Sequence, residues 1–304
     1  MSWLRTLGLR LDTLGWKARQ RSFRTGWPSQ TSREIKFFDT PIVQYRYRER
    51  QAQISDAQTL VLTADPPVTL EVYDELLDVF SKRFRVVIVE LPGMGFSATR
   101  GHYRFGFRET NDDLALFLRA VAGTQAVWAF SCVAGLAAID LAARQPDLVS
   151  DIVTLQVGDV AAFARWKAAR DPKGILARPV VGQFLMKNMA PKRMPDWYKL
   201  SVGKTEKVQH FCACAEESFK HGAMWSLASA YQVYMDPEIV LPPVNRSVLS
   251  LWGRADGSHP TENEQSSSSF SDCVEHVGFD ELGHFSELED PARVFDVIDT
   301  FLGV

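Results

Sequence analysis

No apolar run in this 304-residue chain approaches the ~20 residues that a membrane-crossing helix needs, so a transmembrane protein is not expected. The chain opens without a charged leader, apolar segment and cleavage site, and a cytoplasmic location is the expectation. Cysteine is scarce. The four thiols, at 132, 212, 214 and 273, form no compact framework in a chain this long and read as free, in a reducing compartment. Cys212 and Cys214 have no second pair, and the histidines at 102, 210, 221, 259, 276 and 284 lack ligand spacing with one another, so neither metal nor cofactor is expected. Repeats and low-complexity segments are missing apart from the serine run 266 to 269, which reads as a solvated loop. No nucleic-acid module is recognisable and the net charge is −3, so nucleic acid is not an expected partner.

That charge is unevenly spread, and the distribution carries more information than the sum. Residues 1 to 24 hold Arg5, Arg10, Lys17, Arg19, Arg21 and Arg24 against Asp12 alone. In the same segment Trp3, Leu4, Leu7, Leu11 and Leu14 fall near one face of a helix. Such an extension, residues 1 to 32, can dock on its own domain, join a dimer, or make peripheral contact with an anionic membrane. The oligomeric state stays open. A second basic stretch, 157 to 209, has eleven Lys and Arg against Asp159, Asp171, Asp196 and Glu206. It reads either as a solvated face or as a docking surface for an acidic carrier.

Between these stretches strand and helix alternate. Residues 35 to 49 suggest a hairpin turning near 39 to 41, and 59 to 64 (TLVLTA), 85 to 91 (RVVIVEL), 126 to 130 (AVWAF) and 151 to 155 are short buried strands. Helical spacing occupies 69 to 82, 108 to 121 and 134 to 145. Repeated β-α steps predict an α/β fold with a mostly parallel sheet and helices on both faces. The alternation stops at about 157 and the chain turns helical, rich in aromatic residues and methionine, until about 243. That segment is expected to be an inserted lid, leaving 33 to 156 and 244 to 304 as the core, with strands at 247 to 252 and 274 to 279 and a last helix at 291 to 302.

Phe130-Ser131-Cys132-Val133-Ala134-Gly135 lies where a buried strand turns abruptly into an alanine-rich helix, the context of a nucleophile elbow. Ser131 and Cys132 both compete for its tip. Placing Cys132 there puts the small Ala134 and Gly135 just inside the helix, where bulk is least tolerated. Asp256 follows the strand SVLSLW, and His284 sits in a loop ahead of the last helix, so nucleophile, acid and histidine appear in hydrolase order. A thiolate formed beside His284 would attack a carbonyl and hold the acyl group as a thioester, while Asp256 would fix the imidazole tautomer.

With these residues, Glu90-Leu91-Pro92-Gly93-Met94-Gly95-Phe96-Ser97 and Gly253-x-x-Asp256-x-x-x-Pro260, the chain from about 33 onward resembles the α/β-hydrolase superfamily, in the branch with a helical cap after the sixth strand. A cysteine in place of serine is similar to dienelactone hydrolases and polyhydroxyalkanoate synthases. Phe130 stands where the family places glycine, and Thr63-Ala64, followed by Asp65, where it places His-Gly. The resemblance implies an oxyanion hole from the backbone N–H groups of Val133 and Asp65. It also implies a pocket under the cap, to which Trp166, Met186, Met189 and Trp225 are assigned.

These readings converge on acyl transfer through a Cys132–His284–Asp256 triad. The expected function is hydrolysis of an acyl thioester delivered by coenzyme A or by an acyl carrier protein docked on the basic cap. Acyl transfer to an amine, alcohol or carbon nucleophile is the alternative, because a thioester is open to such attack. A non-catalytic binding protein of hydrolase fold is the alternative from another class, and carbon–carbon bond hydrolysis rests on fold analogy.

Overall fold

β-Branched and apolar runs along this chain become the strands of one nine-stranded sheet. A computed structural model describes residues 3 to 26, 34 to 100, 103 to 235 and 239 to 303, the side chains of 16 to 26 excepted. The chain begins with α1 (Trp3–Gly26), β1 (Ile35–Asp39), β2 (Val43–Arg50), β3 (Thr59–Ala64), α2 (Asp74–Phe80), β4 (Arg85–Glu90), β5 (Ala98–Thr99) and α3 (Phe107–Phe117). It continues through β6 (Ala126–Ser131), α4 (Val133–Arg144) and β7 (Val149–Leu155). Helices α5 (Val160–Arg170), α6 (Val181–Ser201), α7 (Thr205–Lys220) and α8 (Leu227–Ser229) follow, before β8 (Val248–Gly253), β9 (Val274–Phe279), α9 (Ser286–Glu289) and α10 (Pro291–Phe301) return the chain to the sheet.

The strand order is β1-β2-β4-β3-β6-β7-β8-β9, with β5 paired to β2. From β4 to β9 along that order every pairing is parallel, and β1, β2 and β5 are antiparallel. The central strands β3, β4 and β6 are buried almost throughout, which is why they read as continuous apolar runs rather than as alternation. β2 is different. Its Tyr45 and Tyr47 join the core on one face, while Arg46 and Arg48 are buried on the other. Arg46 pairs with Glu90 at 2.7 Å and with Glu71, and Arg48 pairs with Asp74 at 2.8 Å. Glu90 also accepts from the N–H groups of Phe96 (2.6 Å) and Leu70 (3.2 Å), so the Glu90 to Ser97 motif acts here as a pinned turn at the strand ends.

The structure departs from sequence expectation in three places. The two-residue β5, which lies off the main path of the sheet, was too short to leave a periodic signal; the helices α5 to α8 follow β7, the sixth in chain order of the other strands. Residues 266 to 269 belong to a 3-10 run, 261 to 270, rather than to a loop: Ser268 and Ser269 are exposed, but Ser267 is fully buried and bonded to Ser250 Oγ at 2.8 Å. In α1, the docked face is formed by Gly8, Leu9 and Asp12. Asp12 is fully buried, bonded to Lys187 (2.6 Å) and Ser229 (2.5 Å) on the segment between β7 and β8. Trp3, Leu4, Leu7, Leu11 and Leu14, the apolar face read from the sequence, are exposed. The end of the proposed extension at residue 32 lies outside the described residues. No helix among the described residues is long and apolar enough to cross a membrane.

Candidate active site

Four strand ends, those of β3, β6, β8 and β9, bring the titratable groups together. β6 terminates at Ser131, and Cys132 takes φ 49° and ψ −128°, a left-handed conformation that a non-glycine residue adopts only under constraint. Its N–H donates to Leu155 O on β7 at 2.9 Å, and its carbonyl accepts from Gly135 N at 3.0 Å, which turns the chain into α4. A Cβ on Gly135 would lie 2.4 Å from Val157 Cγ2, so a small residue is needed for helix and sheet to approach. Cys132 therefore occupies the tip of the turn. Ser131 remains in the strand, with its N–H donating to Thr63 Oγ1 at 3.0 Å. Phe130, in the place of the family glycine, is fully buried and stacks on Trp128 at 5.5 Å.

Asp256 and His284 meet because two loops pack backbone against backbone. A Cβ on Gly253 would stand 1.9 Å from Gly283 O, closer than atoms can come. Ala255 N donates to Leu282 O at 3.0 Å, and His284 N donates to Ser201 O at the end of α6 at 2.7 Å. Asp256 Oδ2 then bonds His284 Nδ1 at 2.8 Å, His259 Nδ1 at 2.9 Å and Gln156 Nε2 at 3.2 Å, while Oδ1 accepts from Ser258 N at 2.7 Å. The other ring nitrogen of His284, Nε2, bonds the carboxylate of Asp65 at 2.7 Å. The Cys132 thiol lies in the same cluster, its sulfur within 4.8 Å of the donor atoms of Asp65 and His284.

The electrostatics follow from this arrangement. Burial alone would raise Asp256, but the His284 charge and the bonds from both histidines hold it well below the ordinary carboxylate range. Burial disfavours the His284 cation. The Asp256 charge and the bonds to Asp256, Asp65 and Cys132 overcome this and push His284 well above the ordinary imidazole value. Burial and the Asp65 charge raise the Cys132 thiol, against the smaller pull of His284. These shifts favour a charged His284 imidazole beside Asp256 and an un-ionised Cys132 thiol. Asp65 shares the Nε2 side of His284 with the Cys132 thiol, a second carboxylate that the sequence reading did not place there.

Glu287, one turn beyond His284, is buried, with Oε2 unbonded among the described residues. Burial pushes it up to about 8. Because the folded state holds this proton and the unfolded chain releases it near its ordinary value of 4.5, the unfolded state binds fewer protons in between. Stability should then fall as pH rises from about 5 to 8, by roughly 1.4 kcal/mol per pH unit from this group. Urea unfolding of Glu287→Gln should lose that slope and gain most stability at the alkaline end. A slope identical to wild type would show that Glu287 ionises normally.

A cavity of about 260 Å³ opens above the cluster, with Asp65, Cys132, Val133 and His284 at its floor. Its walls are mainly apolar and come from the segment between β7 and β8, including Trp166 and Met186. Arg170 and Arg193 line it as exposed residues and so mark its mouth. Of the four side chains assigned to the pocket, the other two lie elsewhere. Met189 is largely exposed on α6, and Trp225 lines a separate cavity of about 120 Å³, with Lys187 Nζ 4.2 Å from its ring centre. Val133 N–H is directed at the thiol, as an oxyanion donor would be. Asp65 contributes a side chain where only its backbone was expected. Two clusters have metal-ligand proximity, Asp65-Cys132-His284 and Asp256-His259-His284, but their nitrogen and oxygen atoms are already joined by hydrogen bonds of 2.7 to 2.9 Å. Sequence reading missed His259, Gln156, Arg170 and Arg193. The signal for His259 was its position three residues after Asp256, within the motif that carries the acid.

A family profile described as "Alpha/beta hydrolase family" matches residues 67–297. Over 202 residues the chain is 33% identical to a pimeloyl-[acyl-carrier protein] methyl ester esterase of Vibrio atlanticus, covering 62% of this chain and 72% of that protein. Among solved structures, the Cif epoxide hydrolase from Acinetobacter nosocomialis superposes with a TM-score of 0.74 at 15% identity, over 97% of this chain and 96% of its own. A probable hydrolytic enzyme from Pseudomonas aeruginosa gives 0.70 at 16% identity, over 88% and 93%. At these identities the structural likeness establishes the fold.

Proposed function

The chain belongs to the alpha/beta hydrolase family, and on that premise we propose that it hydrolyses acyl esters, thioesters foremost, through an acyl group carried on Cys132. The observation that supports this most is the placing of Cys132 at the left-handed elbow, beside a histidine that Asp256 orients and beneath an apolar cavity. Attack by Cys132 sulfur on the carbonyl carbon would form the C–S bond. The thiol proton passes to the Asp65 carboxylate, and His284, already protonated, supplies a proton to the departing thiol or alcohol; Asp65 then returns its proton to His284 Nε2, so that the acyl-enzyme again holds a charged His284. Val133 N–H stabilises the developing oxyanion.

The carrier reading rests on Arg170 and Arg193 at the cavity mouth and on the basic excess around them. The relative described as acting on a pimeloyl-[acyl-carrier protein] methyl ester supports the same class of carrier. Arg170→Glu with Arg193→Glu should raise KM for acyl carrier protein or coenzyme A substrates by roughly tenfold or more, and remove its salt dependence. KM for a small uncharged ester should change little. An equal change for both substrates would reject the docking role.

The test of the function itself is intact-protein mass spectrometry during brief incubation with acyl-pantetheine and with methyl esters. An acyl increment that decays to free acid supports hydrolysis. Decay that is accelerated by added amines or alcohols and gives their acyl products would instead mark a transferase. No increment together with no turnover would reject the proposal.

A further inference from the structure

The histidine that the triad does not use is the second one on its acid. His259 is buried, its ring 5.3 Å from Trp166 in a near-parallel stack and 4.7 Å from His284. Its Nδ1 is engaged by Asp256 Oδ2 at 2.9 Å and by Ser258 Oγ at 3.0 Å. Its Nε2 has no hydrogen-bond partner among the described residues. His259 lines a chamber of about 10 Å³ that is distinct from the large cavity and is bounded by Cys132, Gln156, Gly158 and Asn263. A space of that size holds about one water molecule, and its walls are polar enough to bind one. Burial and the neighbouring His284 charge keep His259 below the ordinary imidazole value, so its Nε2 offers a lone pair.

We propose that His259 is the general base of the deacylation step, activating a water held in this chamber against the acyl group on Cys132. This deepens the acyl-Cys132 reading and rests on it. The two imidazoles divide the work that a triad gives to one. His259 Nε2 takes a proton from the water as its oxygen adds to the thioester carbon. The tetrahedral intermediate then collapses with cleavage of the C–S bond, and the departing thiolate takes the Nε2 proton of His284. The carboxylic acid product returns a proton to His284 and leaves as a carboxylate, and His259 loses its proton to solvent. One thioester and one water thus yield one carboxylate, one proton and the free thiol. Asp256, bonded to both Nδ1 atoms, fixes both tautomers, and Asp65 keeps His284 charged while His259 stays neutral.

The experiment is rapid-quench intact-mass analysis of wild type, His259→Gln and His259→Ala with acyl-pantetheine, with thermal melts run in parallel to establish folding. Both variants should form the Cys132 adduct at a rate within about twofold of wild type, and the adduct should decay about 100-fold more slowly, the scale of a lost general base. Added imidazole should fill the space left in His259→Ala and restore decay at least about tenfold, whereas a packing defect would not respond. Adduct formation and decay slowed by the same factor would overturn the proposal, since His259 would then act only by holding Asp256. Decay at the wild-type rate would overturn it as well. An absence of adduct in wild type and in both variants, together with no turnover by wild type, would overturn the acyl-Cys132 reading itself.

Discussion

Replacing Cys132 by alanine should lower kcat/KM for acyl thioesters by at least about 10⁴-fold, the scale on which removal of a covalent nucleophile usually registers. Folding should be preserved, because the Cβ and the elbow backbone remain and the hydrogen bonds of the turn are main-chain ones. Cys132→Ser is the sharper comparison. A hydroxyl in the same cluster faces the same Asp65 charge and the same burial, which already raise the more acidic thiol. Serine should therefore recover about 1% of wild-type activity or less. The check is steady-state kinetics with a chromogenic thioester and its oxygen ester. Undiminished turnover in Cys132→Ala would remove the nucleophile role outright. It would not transfer that role to Ser131, whose side chain turns toward Thr63 O at 3.4 Å.

The second large effect is expected from Asp256→Asn, at about 10³- to 10⁴-fold in kcat/KM. The loss arises from hydrogen-bond logic rather than from size. Oδ2 accepts from both histidines and from Gln156, and Oδ1 accepts from Ser258 N. An asparagine offers one acceptor oxygen, so its NH₂ must face either Ser258 N–H or the histidine N–H groups. In each orientation donor opposes donor, at a cost of about 1–3 kcal/mol in stability. A pH signature accompanies this. Because the folded state holds Asp256 below its unfolded value, the carboxylate stabilises the fold above about pH 4, and that stability is lost as pH falls toward the folded value. Acid titration followed by circular dichroism should show a shallower acid limb in Asp256→Asn than in wild type. Equal acid limbs, or activity within tenfold of wild type, would show that Asp256 orients neither imidazole.

Both predictions depend on features that the sequence disclosed unequally. The α/β fold was legible because its central strands are buried on both faces and must be continuously apolar, as in 59 to 64 and 126 to 131. The elbow was legible because a strand running into a helix at Cys132 demands small residues just behind the tip, and Ala134 and Gly135 are there. The order of Cys132, Asp256 and His284 is likewise a property of the chain as written.

What the sequence by itself determined was therefore the alternation of elements, the sites of abrupt turns and the residue types delivered to one edge of the sheet. Only the tertiary structure decided how those residues are paired. Asp65 lies 219 residues from His284, yet its carboxylate bonds the histidine Nε2. His259 became a partner of Asp256 through the rotamers of a loop packed between Trp166 and His284. Met189 and Trp225 were separated from the cavity that Met186 lines by the rotation of α6 and the path after α7. Backbone periodicity is a local steric property and is written in local sequence. The direction of a side chain, and with it the protonation state of every group in this cluster, is set by neighbours that only folding supplies.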